Sequence, residues 1–419
     1  MKCAVAILLV IAVAGCKKDP TLVAFERAAA ELPAAELGAR EVGLIEDQLS
    51  SPEVPDNGIT MKSQVVNAVV ALRSKLSDRN AFDLNAGKYV TSEDDSQISD
   101  IAAAFDRVEA DLDRIRAAAS LKPSGFVGSD LVFNKDIHSF KDGIKYLCLR
   151  STLLSRRGQP SKAIEDVSAA VALCHAPLES TDMIGQYYAA SFQAMVIRAL
   201  EWNLTECPKR LLPRLLQVTT QLRNPIAVEA ALRDQALREL KHTSQSELAA
   251  FRQSDPTSSQ EVRTITPPNV PIPLLARAYR ARNLQYWSRV LVLARTVTDL
   301  RHLAHELEAH RKVARTEKDP TYALVKFFDA GLTGLVDSFQ IQEAKIRVCR
   351  AVGLALDHRC KTGKWPLSVP GNPTDPFDGK PLRFKFARDT AVIYSIGSDL
   401  IDNDGDRKKD IVFCYPATK

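Results

Sequence analysis

The C-terminal stretch 375–415 constrains the fold more than any other part of the sequence, because it combines a tight turn with strict alternation. The segment D-P-F-D-G at 375–379 supplies an Asx acceptor, a preset φ and a residue free to adopt positive φ, so it predicts a chain reversal. The following L-R-F-K-F at 382–386 alternates apolar with basic side chains, which is typical of a strand with one buried face. We therefore expect Leu382, Phe384 and Phe386 to share that buried face.

Two further apolar runs, 391–396 and 411–415, predict a second and a third strand. A hairpin alone is marginally stable in water and needs a covering element. The helical spacing at 351–360 supplies one. The sequence thus predicts a C-terminal α+β module, in which one helix packs on a three-stranded antiparallel sheet.

Five aspartates lie between the second and third predicted strands: Asp399, Asp402, Asp404, Asp406 and Asp410. Carboxylates this close repel one another unless water or a cation screens them. All but Asp399 fall at the first, third, fifth and ninth positions of a calcium loop, although the sixth position is Arg407 instead of Gly and the twelfth is Phe413 instead of Glu. The pattern leaves two alternatives, a calcium site and a solvated acidic turn balanced by Arg407, Lys408 and Lys409.

The turn and strand D-P-F-D-G-K-P-L-R-F, the segment V-I-Y-S-I-G-S-D and the acidic loop resemble the C-terminal module of major pseudopilins of type II secretion systems. With the lead-in at 354–366, they are also similar to the end of exported helical proteins of unknown function from planctomycete-like bacteria. The resemblance starts near residue 346 and implies that some of the five aspartates hold calcium. A pseudopilin begins with a long methylated apolar helix that builds the filament. This chain has no such helix joined to the module, so the resemblance does not imply a filament subunit.

The N-terminal segment M-K-C-A-V-A-I-L-L-V-I-A-V-A-G-C has a basic Lys2 and an apolar run at 3–13, which is too short for a permanent membrane span. Its end, V-A-G-C, resembles the bacterial lipobox, in which the thiol of Cys16 receives a diacylglyceryl group. The sequence thus predicts a signal peptide at 1–15 and a protein that is exported and anchored to the cell envelope through lipid on Cys16. Lys17, in place of Asp, favours the outer over the inner membrane. An ordinary cleaved signal and an uncleaved membrane helix are the alternatives.

The rest of the chain predicts a mainly α protein. The 419 residues include few Gly and few aromatic residues, and the net charge of +5 is spread over the whole length, which does not favour nucleic-acid binding. Apolar spacing predicts helices almost throughout, with a break near Pro33 and one long helix at 274–316. The Ser-, Thr- and Pro-rich stretch 242–271 predicts a boundary. Beyond the signal peptide we therefore predict an N-terminal helical region at 16–125, a repeat-like region at 126–260, a long-helix subdomain at 270–345 and the module at 346–419.

One helical hairpin stands out in the middle of the chain. Residues 144–177 place Gly158 at a helix–helix turn and small residues on the second helix, which resembles the second half of a tetratricopeptide repeat. One such unit is visible in the sequence, whereas stacking normally requires three or more. The pattern therefore favours an irregular, repeat-like helical array over a peptide-binding groove.

Two further residue sets bear on chemistry. Cys148 and Cys174 face each other across this hairpin, which predicts a disulfide in an oxidising compartment, with buried free thiols as the alternative. The run R-H-L-A-H-E-L-E-A-H at 301–310 lacks the zincin spacing, so a solvated polar face is favoured over a metal site.

The sequence contains no G-x-S-x-G, P-loop or dinucleotide motif, so it does not favour catalysis. We expect a non-enzymatic interaction or scaffold protein with an envelope protein partner. An accessory component of a pseudopilus and an unrecognised envelope hydrolase are the alternatives.

Overall fold

The computed structural model describes residues 19–44, 61–75, 95–121, 135–179, 183–223, 228–253, 264–297, 300–328 and 332–416. The signal peptide, Cys16 and the predicted linker at 50–58 lie outside these ranges. The described helices are α1 Pro20–Ala30, α2 Leu32–Glu41, α3 Met61–Lys75, α4 Asp95–Arg107, α5 Glu109–Ala118, α6 Lys135–Arg156, α7 Pro160–Cys174, α8 Met183–Glu206, α9 Leu212–Gln221, α10 Val228–Lys241, α11 Gln245–Gln253, α12 Ile272–Thr296, α13 Leu300–Thr316, α14 Ala323–Phe328 and α15 Leu332–Thr362. The strands are β1 Arg383–Phe386, β2 Ala391–Ser395 and β3 Ile411–Tyr415, which confirms the predicted fold class.

The chain forms two compact units that are discontinuous in sequence. Unit 1 comprises the described residues of Met1–Ser51, Leu232–Thr298 and His302–Thr333; unit 2 comprises those of Pro52–Ala231, Asp299–Arg301 and Gly334–Lys419. This grouping differs from the linear division expected from the sequence, because the N-terminal helices pack with residues far along the chain.

In unit 1, α1 and α2 lie along α12. Phe25 of α1 is fully buried, and its ring meets that of Tyr279 edge to face at 5.4 Å. Arg282, also buried, donates to Glu31 between α1 and α2 and to the Thr321 hydroxyl. The N-terminal helices are therefore part of this core.

Unit 2 contains three pairs of packed helices, α3/α5, α6/α7 and α8/α9, which we call the hairpin array; α4 precedes α5 in the first pair. Within it the first helices pack in sequence, α3 on α6 and α6 on α8, and so do the second helices, α5 on α7 and α7 on α9. Gly158, at φ +71°, occupies the predicted turn between α6 and α7. Helix α15 continues the array, since Arg350 donates to the carbonyl groups of Thr220 and Leu222 at the end of α9.

The three strands form an antiparallel sheet, as predicted, and their order in the sheet is β1-β2-β3. Phe384 pairs with Ile393, and Ile393 pairs with Phe413 across the central strand. Ile341 and Ala344 of α15 contact the apolar cluster of Phe377 and Ile396 beside the sheet.

The expected buried face of β1 is wrong in part. Leu382 is buried, but Phe384 is 39% exposed and Phe386 is partly exposed, with its ring stacked on Trp365 at 5.3 Å. β1 is an edge strand, so its side chains have neighbours from an adjacent strand on one side only and are less buried than those of the central strand β2.

Helix boundaries differ from prediction at two other places. The expected long helix 274–316 is divided, because α12 ends at Thr296 and Val297 has an extended backbone. The β-branched side chains of Thr296 and Val297 lower helix propensity at this point. The predicted boundary 242–271 contains α11, whose core residue Leu248 is fully buried in unit 1.

Candidate functional site

Two aspartates of the acidic loop between β2 and β3 stabilise the turns of the loop itself. Asp399 accepts hydrogen bonds from the backbone N–H of Ile401 at 3.1 Å and from the side-chain amide of Asn403 at 3.0 Å. Asp406 accepts from the backbone N–H of Lys408 at 3.0 Å. Such Asx bonds serve the backbone of any polar turn, whether or not a cation is bound.

The other three aspartates lie around the hydroxyl of Tyr394 on β2. That hydroxyl donates to Asp402 Oδ1 at 3.1 Å. Burial, followed by this hydrogen bond and the negative charges of Asp402, Asp404 and Asp410, raises the pKa of Tyr394 to about 12. The loop therefore concentrates negative charge beside a neutral phenol.

Asp410 is the aspartate of the loop that turns inward. It is 5% exposed, and its Oδ2 accepts from the backbone N–H of Gly405 at 2.7 Å. Its Oδ1 is buried and has no hydrogen-bond partner among the described residues. A buried carboxylate oxygen without a partner is costly, and a cation would offset that cost. Nevertheless, in the part of the chain that the structure describes, no group of three or more His, Cys, Asp or Glu side chains is arranged to hold a metal ion.

Arg407, which stands where a calcium loop has glycine, leaves the loop and pairs with Glu201 of α8. Glu201 is 3% exposed and also accepts from the backbone N–H of Cys414 on β3 at 2.9 Å. Arg198, one turn earlier on α8, bonds to its other oxygen. One buried carboxylate therefore fixes both the acidic loop and β3 to the hairpin array, and Arg407 does not balance the loop aspartates as expected.

The aspartate of the predicted turn, Asp375, is fully buried and stabilises the module. It accepts from the backbone N–H groups of Phe377 and Ile396, both at 3.0 Å, and from the Ser395 hydroxyl at 2.8 Å. Arg383 donates to it at 2.8 Å and also pairs with Asp378. The turn is thereby tied to β2, and its carboxylate has no free oxygen for chemistry.

Cys148 and Cys174 are free thiols in the structure, both buried on the facing helices α6 and α7. Burial is the largest cause that raises the pKa of each thiol, and the neighbouring Cys148 adds to the effect on Cys174. The two side chains are thus near each other and uncharged at neutral pH. Their pairing in a disulfide stays a prediction.

The histidine-rich helix α13 presents a polar face, as expected. His302 and His305 are exposed, and His302 Nε2 lies 3.9 Å from Glu306. His310 instead stacks on the ring of Tyr286 at 4.7 Å.

A buried ion-pair network joins the first two hairpins of the array. Arg150 of α6 binds Asp166 of α7 through two parallel bonds, Nε to Oδ2 at 2.6 Å and Nη2 to Oδ1 at 2.7 Å. Arg150 also donates to Asp113 of α5 at 3.2 Å. Both members of the central pair are buried, at 6% and 0% exposure. This bidentate geometry fixes the register of three helices.

The second helices of the three hairpins line a groove of about 470 Å³, which we call the α7 groove. Its floor is the face of α7 with Ile164, Ser168, Ala169 and Ala172, and its walls are the end of α5 and the exposed side of α9. The full lining is Arg116, Ala119, Ser120, Ile164, Glu165, Ser168, Ala169, Ala172, Arg214, Gln217, Val218 and Gln221. The groove leaves no pattern in the sequence, because its three helices come from separate parts of the chain.

The structure does not bring the predicted site residues together in one place. The aspartates lie beside the sheet, the two thiols lie inside the array, and Cys16 is outside the described residues. Neither Glu201 nor Asp166 was predicted from the sequence to have a role. For Asp166 the sequence does contain an indication, because Asp166 shares a helix face with Ala163 and Ala170 and therefore places a carboxylate on an apolar stripe.

Comparisons of the chain with protein-family models, with curated proteins and with solved structures return no match. Within the described ranges, no helix has both the length and the apolar character needed to cross a membrane.

Proposed function

We propose that this protein is an exported lipoprotein of the cell envelope, whose hairpin array acts as a non-enzymatic scaffold that binds another envelope protein. The observation that carries the proposal is the array itself, with three hairpins packed in succession and a groove along their second helices. Stacked helical hairpins build extended surfaces suited to protein binding. The bidentate pair of Arg150 with Asp166 holds such a surface in one shape.

The anchor is proposed from the sequence around Cys16. Asp19, three residues later, already caps α1 by accepting from the backbone N–H of Thr21 at 2.8 Å. Lipid on Cys16 would therefore hold the start of α1 within about 10 Å of the membrane surface, because three residues span at most about 3.3 Å each. Two or more acyl chains make such an anchor stable.

Labelling with radioactive palmitate in a bacterial host, followed by fractionation of the envelope, tests the anchor. The wild-type protein should carry the label and sediment with membranes, whereas Cys16→Ser should lose the label. Cys3→Ser, which removes the other cysteine of the signal segment, is the matched control and should behave as wild type. Equal labelling of wild type and Cys16→Ser would contradict lipidation at this residue.

In-cell photo-crosslinking tests the scaffold role. A photoreactive residue at Gln217 in the α7 groove should give one defined adduct with an envelope protein, and the same residue at exposed Leu37 on α2 should not. Adducts of equal pattern from both positions would contradict a specific scaffold surface.

A second candidate is an accessory component of a pseudopilus, with calcium in the acidic loop. The long helix α15 on a three-stranded antiparallel sheet favours it, since this is the module that the pseudopilin resemblance implies. The unpartnered Oδ1 of Asp410 favours a cation ligand, and oxygen ligands suit calcium. Co-purification with pseudopilins would support this role.

Calorimetric titration of the full chain with calcium tests the site. Wild type should bind about one equivalent by the count of oxygen ligands, and the double variant Asp402→Ala, Asp404→Ala should show no binding. Asp389→Ala, an exposed aspartate of the β1–β2 turn, is the control and should bind as wild type does. The calcium proposal fails if wild type gives no binding heat.

A further inference from the structure

The α7 groove carries polar groups that the fold itself does not use. Arg214 of α9 is exposed and forms no ion pair or hydrogen bond within the described residues. The side chains of Gln217 and Gln221 follow it along the same face of α9. Along the helix axis, Gln217 lies about 4.5 Å beyond Arg214, and Gln221 lies about 6.0 Å beyond Gln217. The α9 wall is therefore a row of one cation and two amides.

The opposite wall is already neutralised. Arg116 of α5 binds Asp113 at 3.0 Å and Glu165 at 3.2 Å, and lies 3.7 Å from buried Asp166. These contacts hold the Arg116 guanidinium in place. The open positive charge of the groove is thus on the α9 side, and Lys209 and Arg210, both exposed, precede it in the chain.

The floor between the walls is narrow and mostly apolar, so it admits a narrow ligand with small apolar side chains. Ser168, Ala169 and Ala172 have short side chains, and none of the described residues that line the groove is aromatic. The lining therefore lacks the stacking platform that single-stranded nucleic acids require.

An extended peptide fits these features. Its carbonyl groups on one side repeat every 6.6 to 6.8 Å, roughly the spacing that the flexible amides of Gln217 and Gln221 can follow. A carboxylate on the peptide would pair with Arg214, and small apolar side chains would lie on the floor. We propose that the α7 groove binds an extended peptide segment of the partner protein, in which an acidic residue is flanked by small apolar residues. This inference rests on the proposed scaffold function and names the chemistry of its partner.

Fluorescence anisotropy with the full chain in detergent tests this assignment. The probe is a fluorescein-labelled octapeptide of alternating alanine and glutamate, and its neutral comparator has glutamine in place of glutamate. We expect saturable binding of the acidic peptide that weakens as salt is added, and at least roughly tenfold weaker binding of the neutral peptide.

Substitutions on α9 locate the binding. Arg214→Glu should lower the affinity for the acidic peptide by roughly tenfold or more, and Arg214→Gln should lower it by less. Gln217→Ala should lower the affinity for both peptides severalfold. Arg277→Glu, at an arginine of unit 1 that is also exposed and without a partner among the described residues, should leave the affinity unchanged. Circular dichroism confirms that each variant is folded.

The assignment is overturned if wild type does not bind the acidic peptide, if the neutral peptide binds equally well, or if Arg214→Glu and Arg277→Glu have equal effects. The crosslinking experiment separates this failure from failure of the scaffold role. If the defined adduct still forms in Arg214→Glu, the result supports the scaffold function and contradicts the assignment of an acidic peptide as the ligand.

Discussion

At the scale of single residues, buried charges determine how the C-terminal module is held. Glu201 binds Arg407 and the Cys414 backbone, and Asp375 binds Arg383 and two backbone N–H groups. Each carboxylate is nearly or fully buried and satisfied by several donors. Removal of one charged partner from such a group leaves the other charge buried and unpaired, which costs more than the pair itself contributes.

Glu201→Gln should therefore destabilise unit 2 by about 3 kcal/mol, at the lower end for a broken buried pair because Arg407 retains some contact with water. Urea denaturation measures the change. Asp106→Asn, which breaks the exposed pair of Asp106 with Arg157, is the control and should change the free energy of unfolding by less than about 0.5 kcal/mol. Equal effects of the two substitutions would show that Glu201 does not anchor the module.

Asp378 gives the module a defined pH dependence. Its hydrogen bond to Arg383 lowers the pKa of this carboxyl below its ordinary value of 3.8. A lowered folded-state pKa means that the pair stabilises the fold above pH 3.8 and that this contribution is lost as pH falls through the lowered value. Asp378→Asn should thus lower the free energy of unfolding by about 1.5 kcal/mol at neutral pH. The difference from wild type should shrink progressively as the pH drops below 3.8.

Urea unfolding at several pH values checks this prediction. Asp389→Asn is the control, because the pair of Asp389 with Arg359 is exposed and contributes little. A difference between wild type and Asp378→Asn that stays constant with pH would contradict the assigned cause.

At the scale of elements, the hairpin array depends on close helix contacts. A Cβ added to Gly143 of α6 would lie 2.8 Å from Val65 Cγ1 of α3 and 3.3 Å from Val69 Cγ2. Both neighbours are β-branched and have little freedom to move away. Gly334 of α15 is also helical, but a Cβ there meets nothing within 4 Å.

The same substitution should therefore have opposite effects at the two sites. Gly334→Ala should stabilise the protein by up to about 1 kcal/mol through helix propensity. Gly143→Ala should destabilise it by about 1 kcal/mol, because overpacking of about 2 kcal/mol exceeds the same gain in propensity. Chemical denaturation of both variants measures the free energy of unfolding. Stabilisation by Gly143→Ala would contradict the prediction, because it would show that α3 and α6 can separate at no cost.

At the scale of the whole molecule, unit 1 is assembled from chain segments that lie on either side of residues Pro52–Ala231, which belong to unit 2. Phe25 of α1 contacts Tyr279 of α12, so a core of this unit forms between residues separated by most of the chain. Of the three tryptophans in the sequence, Trp287 lies in unit 1, and Trp202 and Trp365 lie in unit 2. The indole fluorescence can therefore report on each unit separately.

Phe25→Ala should destabilise unit 1 by about 3 to 5 kcal/mol through lost burial and a cavity. In a background with Trp202→Phe and Trp365→Phe, the unfolding midpoint reported by Trp287 should fall. In a background that retains only Trp202, the unfolding midpoint reported by Trp202 should change less. Leu37→Ala, at a 63% exposed position on α2, is the control and should leave both midpoints near wild type. If Trp287 does not detect Phe25→Ala, α1 does not belong to this core.

The sequence by itself determined most of the local elements: the helices of the array, the break near Pro33, the Gly158 turn and the three strands of the module, but not the division of α12 from α13 or the presence of α11. Periodicity and turn chemistry act over a few residues, so they can be read without knowing which elements meet. The tertiary structure alone decided the pairing of Arg407 with Glu201, the packing of α1 on α12, and the α7 groove. These features join residues far apart in the chain, and such contacts leave no local pattern because either partner, taken alone, resembles an ordinary polar or apolar residue of its helix or loop.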